Sequence, residues 1–202
     1  MKKLMVAVMM LAMASVAVAG PLAQTAAPVE VGQIDGAALV TIGLGDAVSG
    51  DLGITARAIY GAIENLSAQL SLGYVSPDVG DSVENLTLAG QYALTLDLPV
   101  DLAVRAALDI GDLSNASDTM AITPGIVVSK SIEAVAGLAL YLGLGYEIPV
   151  GNLADYADNE LAIAFGATYD IAAVENLSAV AEISMIKNSD TMGLTLGASY
   201  AF

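Results

Sequence analysis

Hydrophobic and polar residues alternate along most of this chain with a period of two. The last run, residues 191–202, shows the pattern clearly: Leu194 and Leu196 fall on one face, whereas Thr195 and Gly197 fall on the other. Such alternation is typical of β-strands with two different faces, because successive side chains of a strand point in opposite directions. The pattern therefore predicts an all-β chain.

Ten runs of this kind are predicted as strands. They are residues 37–45, 53–63, 67–76, 85–97, 101–110, 119–131, 134–146, 160–171, 176–186 and 191–202. Most are close to the roughly 9–11 residues that a tilted strand needs to cross a membrane. The run 37–45 is short and rich in glycine, and without it, or if two runs merge, the count falls to eight. An even number is typical of bacterial single-chain barrels.

The connections between these runs alternate in character. Tight turns are predicted at 63–66, 98–100, 131–133 and 174–176. Longer connections, rich in Asp, Asn, Ser and Gly, are predicted at 45–51, 76–85, 111–119 and 147–159. Short turns at one rim and longer loops at the other are typical of transmembrane barrels. We therefore expect a closed antiparallel transmembrane β-barrel of ten strands, with eight as the alternative, that has short periplasmic turns and longer acidic outer loops.

The charge distribution favours a membrane barrel over a soluble one. The chain has six Lys and Arg against 22 Asp and Glu, yet only 14% of its residues are charged and 56% are hydrophobic. The polar strand faces hold mostly Thr, Ser, Gly, Ala and Gln, whereas a barrel exterior exposed to water normally carries many charges. The alternative is a secreted, soluble, lipocalin-like barrel that binds a hydrophobic ligand, and purification without detergent would favour it.

Composition also excludes several classes of function. So few basic residues make nucleic-acid binding improbable, because a phosphate backbone attracts Lys and Arg. The absence of His and Cys rules out Cys/His zinc sites, Ser-His triads, thiol nucleophiles and disulfides. We therefore predict no enzyme activity, no cofactor and no dedicated metal site.

The N-terminus has the pattern of a secretory signal peptide. Lys2 and Lys3 precede an apolar run, and an Ala-Val-Ala sequence at 17–19 fits a cleavage site. We predict a signal peptide at residues 1–19, a flexible N-terminal segment at 20–36 and a single barrel domain at 37–202. Cleavage would leave four basic residues against 22 acidic ones, a net charge of −18.

Strand parity assigns each side chain to the lipid or to the lumen. The aromatic residues on the apolar face are predicted to form two interfacial belts. They are Tyr60, Tyr74, Tyr92, Tyr146, Tyr169, Tyr200 and Phe202. The charged and larger polar residues on the opposite face are predicted to line the lumen. They are Arg57, Gln69, Gln91, Arg105, Asp109, Tyr141, Glu160, Asp170 and Glu182.

The C-terminal sequence LTLGASYAF at 194–202 resembles the terminal strand signal of small Gram-negative outer-membrane β-barrel proteins, the porin-like superfamily. Gly197, Tyr200 and Phe202 match that signal, whereas Leu196 stands where a polar residue is more usual. The resemblance implies an outer-membrane location, contact with outer-membrane lipids and lipopolysaccharide, and recognition by the barrel-assembly machinery. Enzymes of this barrel class use a catalytic His, which this chain lacks.

Two interpretations of the lumen remain open. Its arginines and acids either form an ion-pair network that fills the barrel, or they line a narrow pore for small solutes or ions. The acidic loop residues are expected to form a solvated surface, and binding of divalent cations there is the alternative. Those residues are Asp46, Asp51, Asp78, Asp81, Glu84, Asp112, Asp118, Asp155 and Asp158.

Overall fold

A computed structural model describes residues 24–44, 50–77, 82–113, 119–155, 157–187 and 191–202. The predicted signal peptide lies outside the described residues, as do Asp46, Asp78, Asp81 and Asp118 of the acidic loops. No helix in the described part of the chain is long and apolar enough to cross a membrane.

Ten strands close into one barrel in which every neighbouring pair is antiparallel. The strands are β1 (Ile34–Gly43), β2 (Leu52–Ile63), β3 (Leu66–Ser76), β4 (Val83–Leu94), β5 (Asp101–Ile110), β6 (Met120–Ser131), β7 (Leu138–Val150), β8 (Glu160–Asp170), β9 (Leu177–Ile186) and β10 (Thr191–Ala201). Each strand pairs with its neighbours in sequence, and β1 pairs with β10 to close the barrel. The predicted all-β, ten-strand antiparallel barrel is confirmed, and the eight-strand alternative is wrong.

The two rims of the barrel differ. The turn rim is formed by the connections 64–65, 95–100, 132–137 and 171–176, together with the start of β1 and the end of β10. The loop rim is formed by the remaining connections, one of which contains a short 3-10 helix, Gly151–Asp155. Asn65 and Asn176 adopt positive φ angles of 64° and 63° in turns of the turn rim. Asn tolerates this left-handed conformation better than most residues, which explains its use at these tight reversals.

The largest difference from the predicted strand boundaries is in β7, which lies four residues further along the chain than expected. Residues 134–137 alternate as a strand would, but they form a turn. Within this turn the Ile132 amide donates to the Leu138 carbonyl at 2.8 Å, and Gly137 has a φ of 80°. A matching turn recurs at 171–176, where the Ile171 amide donates to the Leu177 carbonyl at 2.8 Å. At residues 134–137, hydrogen bonds within the turn therefore decide the structure, although the alternation predicts a strand.

The apolar face of each strand points outward. In β2 the buried and exposed residues alternate strictly from Leu52 to Tyr60, so that Ile54 is 54% exposed while Arg57 is 6% exposed. The same holds around the barrel, where Leu72 and Phe165 are 51% and 55% exposed. A soluble barrel would turn this apolar face inward. The outward apolar face is the arrangement of a transmembrane barrel and argues against the lipocalin-like alternative.

Candidate functional site: the barrel lumen

Most of the residues predicted for the lumen are buried inside the barrel. Seven of the nine have at most 6% of their surface exposed: Arg57, Gln69, Gln91, Arg105, Asp109, Tyr141 and Glu182. Glu160 is half-buried at the start of β8 on the loop rim. Asp170 is exposed at the opposite end of β8, where its carboxylate accepts a 2.8 Å hydrogen bond from Ser178. Asp170 is the last residue of β8 and is exposed, so it lies at the turn rim rather than inside the barrel.

A tyrosine inside the lumen bridges three strands. The Tyr141 hydroxyl on β7 donates to the Glu182 carboxylate on β9 at 2.8 Å. Gly166, which pairs with both residues, lies between them on β8. A side chain at Gly166 would collide with the Tyr141 ring and hydroxyl, so glycine leaves the space that the phenol occupies. Tyr141 therefore fills the lumen above β8 and fixes one oxygen of Glu182.

Asp109 is held by neutral hydroxyl groups. Thr87 on β4 and Thr123 on β6 donate to its two carboxylate oxygens at 2.8 and 3.1 Å. Two further acids, Glu147 and Glu160, pair across β7 and β8 near the loop rim. Asp109, Glu147 and Glu160 therefore form the acidic part of the lumen, on the side of the loop rim.

Glu147 is absent from the residues that the sequence predicted for the lumen. It shares the strand parity of Tyr141, which provides the signal for its orientation. The predicted strand, however, ended at 146, directly before Glu147 and four residues before the observed end of β7. Because β7 continues to Val150, Glu147 lies within the barrel wall rather than in a loop.

Within the described part of the chain, neither Arg57 nor Arg105 forms a hydrogen bond to a carboxylate. Arg105 donates through Nη2 to the Gln69 side-chain oxygen at 3.4 Å, and Gln69 in turn donates to Ser71 at 2.8 Å. Arg57 has no hydrogen-bond partner for Nε or Nη1 among the described residues. It lies within electrostatic range of Glu182 and Asp35 without such contact. Among the described residues, the charged groups of the lumen are therefore separated from one another rather than joined in hydrogen-bonded ion pairs.

The outer surface carries the aromatic residues in the predicted positions. All six tyrosines of the predicted belts are exposed, from 39% for Tyr200 to 48% for Tyr74. Tyr74 and Tyr146 lie toward the loop rim, while the other four lie toward the turn rim. Phe202 packs edge-on against Tyr200 with ring centroids 4.9 Å apart. Two aromatic levels on an apolar exterior fit the two interfaces of a bilayer.

The C-terminal signal residues lie at the seam that closes the barrel. The Phe202 amide donates to the Ile34 carbonyl at 2.8 Å. A side chain at Gly197 would collide with the Ala38 carbonyl oxygen and with Leu39 on β1. Glycine at 197 therefore has a packing role in this seam.

Among the residues that the structure describes, no group of three or more acids is arranged to hold a metal ion. Four of the nine loop acids lie outside the described residues, so cation binding by the loops stays a prediction.

Comparison with known proteins identifies the fold. No protein-family model and no curated protein sequence matches the chain. NanC porin is similar in structure, with a TM-score of 0.53, 11% identity and coverage of 82% of this chain and 98% of NanC. KdgM porin gives a TM-score of 0.44 and 12% identity, with coverage of 84% of this chain and 99% of KdgM. Omp33 of Acinetobacter baumannii gives a TM-score of 0.43 and 13% identity, with coverage of 84% of this chain and 98% of Omp33. Together with the outward apolar face, the likeness to NanC assigns this chain the fold of a porin-like outer-membrane β-barrel.

Proposed function

We propose that this protein is an integral outer-membrane β-barrel whose lumen is a narrow, water-filled path for small ions and solutes. The observation that carries the proposal is that several buried charged groups lack hydrogen-bond partners. Nε and Nη1 of Arg57, Nε of Arg105 and Oε1 of Glu182 have no hydrogen-bond partner among the described residues. A lumen built only to fill space would pair these groups with one another.

These atoms have almost no surface accessible to water in the structure. In our proposal, small movements of the lumen side chains admit water, which then supplies the missing partners. A buried polar group without a partner costs about 1–3 kcal/mol, and more when it is charged. Water that enters the lumen removes this cost, because ordered water satisfies buried polar groups almost as well as protein atoms do. A lumen position occupied by a small residue, such as Gly53 near the loop rim, leaves room for it.

The order of charges along the lumen predicts how such a path would treat ions. Cations would be concentrated at the acidic loop-rim end, where Asp109, Glu147 and Glu160 lie. They would then meet Arg57 and Arg105, whose positive charges oppose their passage. We therefore expect a small conductance with weak ion selectivity.

The test is single-channel recording of the detergent-extracted full chain in a planar bilayer. Folding is checked first by the shift in gel migration between unheated and boiled protein. Discrete, reproducible conductance steps are the expected result. If protein that is demonstrably folded gives no steps, the pore is wrong and a purely structural barrel is the better interpretation.

A further inference from the structure

The N-terminal segment (residues 24–33) is packed in the barrel mouth, although the sequence presents it as a flexible lead-in. Ala26 has no exposed surface. It belongs to a cluster of buried side chains contributed by β5, β6, β7 and β8: Ala103, Val127, Tyr141 and Ala164. The segment therefore enters the turn-rim half of the lumen and reaches the side chains of its far wall.

Hydrogen bonds from β4 and β6, the two strands that flank β5, hold the deepest part of this segment. Gln91 on β4 donates through Nε2 to the Thr25 carbonyl at 2.9 Å. The Ala26 amide donates to the Ser129 hydroxyl on β6 at 3.0 Å. Both wall residues point into the lumen and are 3–4% exposed. The main chain of the segment thus hydrogen-bonds to two lumen side chains, Gln91 and Ser129.

The segment leaves the lumen along β2. The Gly32 amide donates to the Gly61 carbonyl at 2.8 Å, and the Gly61 amide donates to the Gln33 carbonyl at 3.1 Å. A side chain at Gly61 would collide with the carbonyl oxygen of Glu30. Gly61 does not need glycine for its own backbone conformation, since its φ is not positive. Its missing side chain makes room for the N-terminal segment.

We propose that the N-terminal segment is an internal plug that narrows the turn-rim half of the lumen and limits the size of what passes. This role rests on the proposed pore. A cavity of about 350 Å³ lies between the plug and wall residues that include Arg57, Thr168 and Ser199. In this proposal small ions pass beside the plug through this space, whereas larger solutes do not.

Cysteine labelling tests the position of the plug independently of conductance. The chain has no Cys, so Ala26→Cys introduces a single reactive thiol. We expect it to react with a bulky maleimide at least about tenfold more slowly in the folded barrel than in denaturant. Glu64→Cys, on an exposed turn of the same rim, is the matched control and should react quickly in both states. Equal rates for the two folded variants would show that the segment is not inserted.

Conductance tests the role of the plug. Gly61→Ala places a methyl group where the Glu30 carbonyl lies, so it should displace the plug, speed labelling of Ala26→Cys and raise conductance several-fold. Gly193→Ala is the control, because an added methyl at this lumen glycine meets nothing closer than 3.3 Å. A deletion of residues 24–30 should act like Gly61→Ala and provides a second variant should the first not fold.

The outcomes separate the two proposals. If wild type conducts and both plug variants conduct to the same extent, the plug has no role although the pore stands. If neither wild type nor any folded variant conducts, the proposed pore function is wrong. If conductance rises in Gly61→Ala and in the deletion but not in Gly193→Ala, both proposals hold.

Discussion

Replacing Leu70 by arginine tests whether the barrel exterior lies in lipid. Leu70 is 44% exposed on β3. It pairs with Ala58 on β2 and with Leu88 on β4, and Leu88 pairs in turn with Leu108 on β5. These four residues form an apolar row around one side of the barrel, so an arginine at position 70 has no acidic partner beside it.

The position of Leu70 along β3 sets the magnitude. It lies four residues from Leu66 at the turn rim and six from Ser76 at the loop rim. With a rise of about 3.3 Å per residue and a tilt of about 40°, these separations correspond to depths of roughly 10 and 15 Å. Leu70 therefore lies near the middle of an apolar band about 25 Å tall, where an arginine costs about 2–4 kcal/mol. This cost lowers the folding equilibrium constant by about 30- to 1,000-fold.

The assay is reversible unfolding in denaturant of the protein folded into lipid vesicles, followed by gel migration of folded and unfolded forms. Leu52→Arg is the control, because Leu52 is equally exposed but begins β2 at the loop rim. An arginine there should cost about 0–1 kcal/mol. If both variants lose little stability, or if Leu70→Arg makes the protein soluble without detergent, the exterior does not face lipid and the membrane assignment is wrong.

Three further predictions concern the lumen and the C-terminus. Tyr141→Phe keeps the ring but removes the hydrogen bond to the Glu182 carboxylate, so the free energy of unfolding in denaturant should fall by about 1–3 kcal/mol. The control Tyr169→Phe, on the outer surface, should change this free energy by less than about 0.5 kcal/mol. Arg105→Gln removes a lumen cation, so the reversal potential in a salt gradient should shift toward cation selectivity, and a shift toward anions would contradict the proposed path. Deletion of Phe202 should lower the amount of protein recovered in outer-membrane fractions, and an unchanged amount would show that assembly does not need it.

The strands could be predicted from the sequence because each residue of a membrane barrel faces only one of two environments. Lipid demands an apolar side chain, whereas the lumen accepts Thr, Gln or Arg, so the alternation is visible without any partner strand. Burial in β2 follows the predicted parity from Gly53 to Tyr60. Arg57 accordingly lies inside the barrel and Tyr60 outside, as their positions in the alternation predict.

Contacts between strands were not predictable in this way. Parity shows that Tyr141 and Glu182 face the lumen, but their hydrogen bond depends on the register of β7, β8 and β9 and on the space left at Gly166. Register is set by the turns, and the turn at 132–137 displaced β7 from its predicted bounds. That displacement is also why Glu147 was not predicted for the lumen.

The N-terminal segment was the largest difference, and its composition explains why. A short sequence of Gln, Thr, Ala and Pro has no period, which is equally the pattern of a flexible linker and of a chain that fills a lumen. The residues that accommodate this segment lie on the barrel wall, and they show its position better than its own sequence does. Gly61 carries no side chain where Glu30 passes, and Gln91 and Ser129 place their polar groups at the Thr25 carbonyl and the Ala26 amide. An isolated glycine in a strand pattern indicates close approach of another backbone, so a lumen-facing glycine near a barrel rim is the sequence signal by which such inserted segments can be sought.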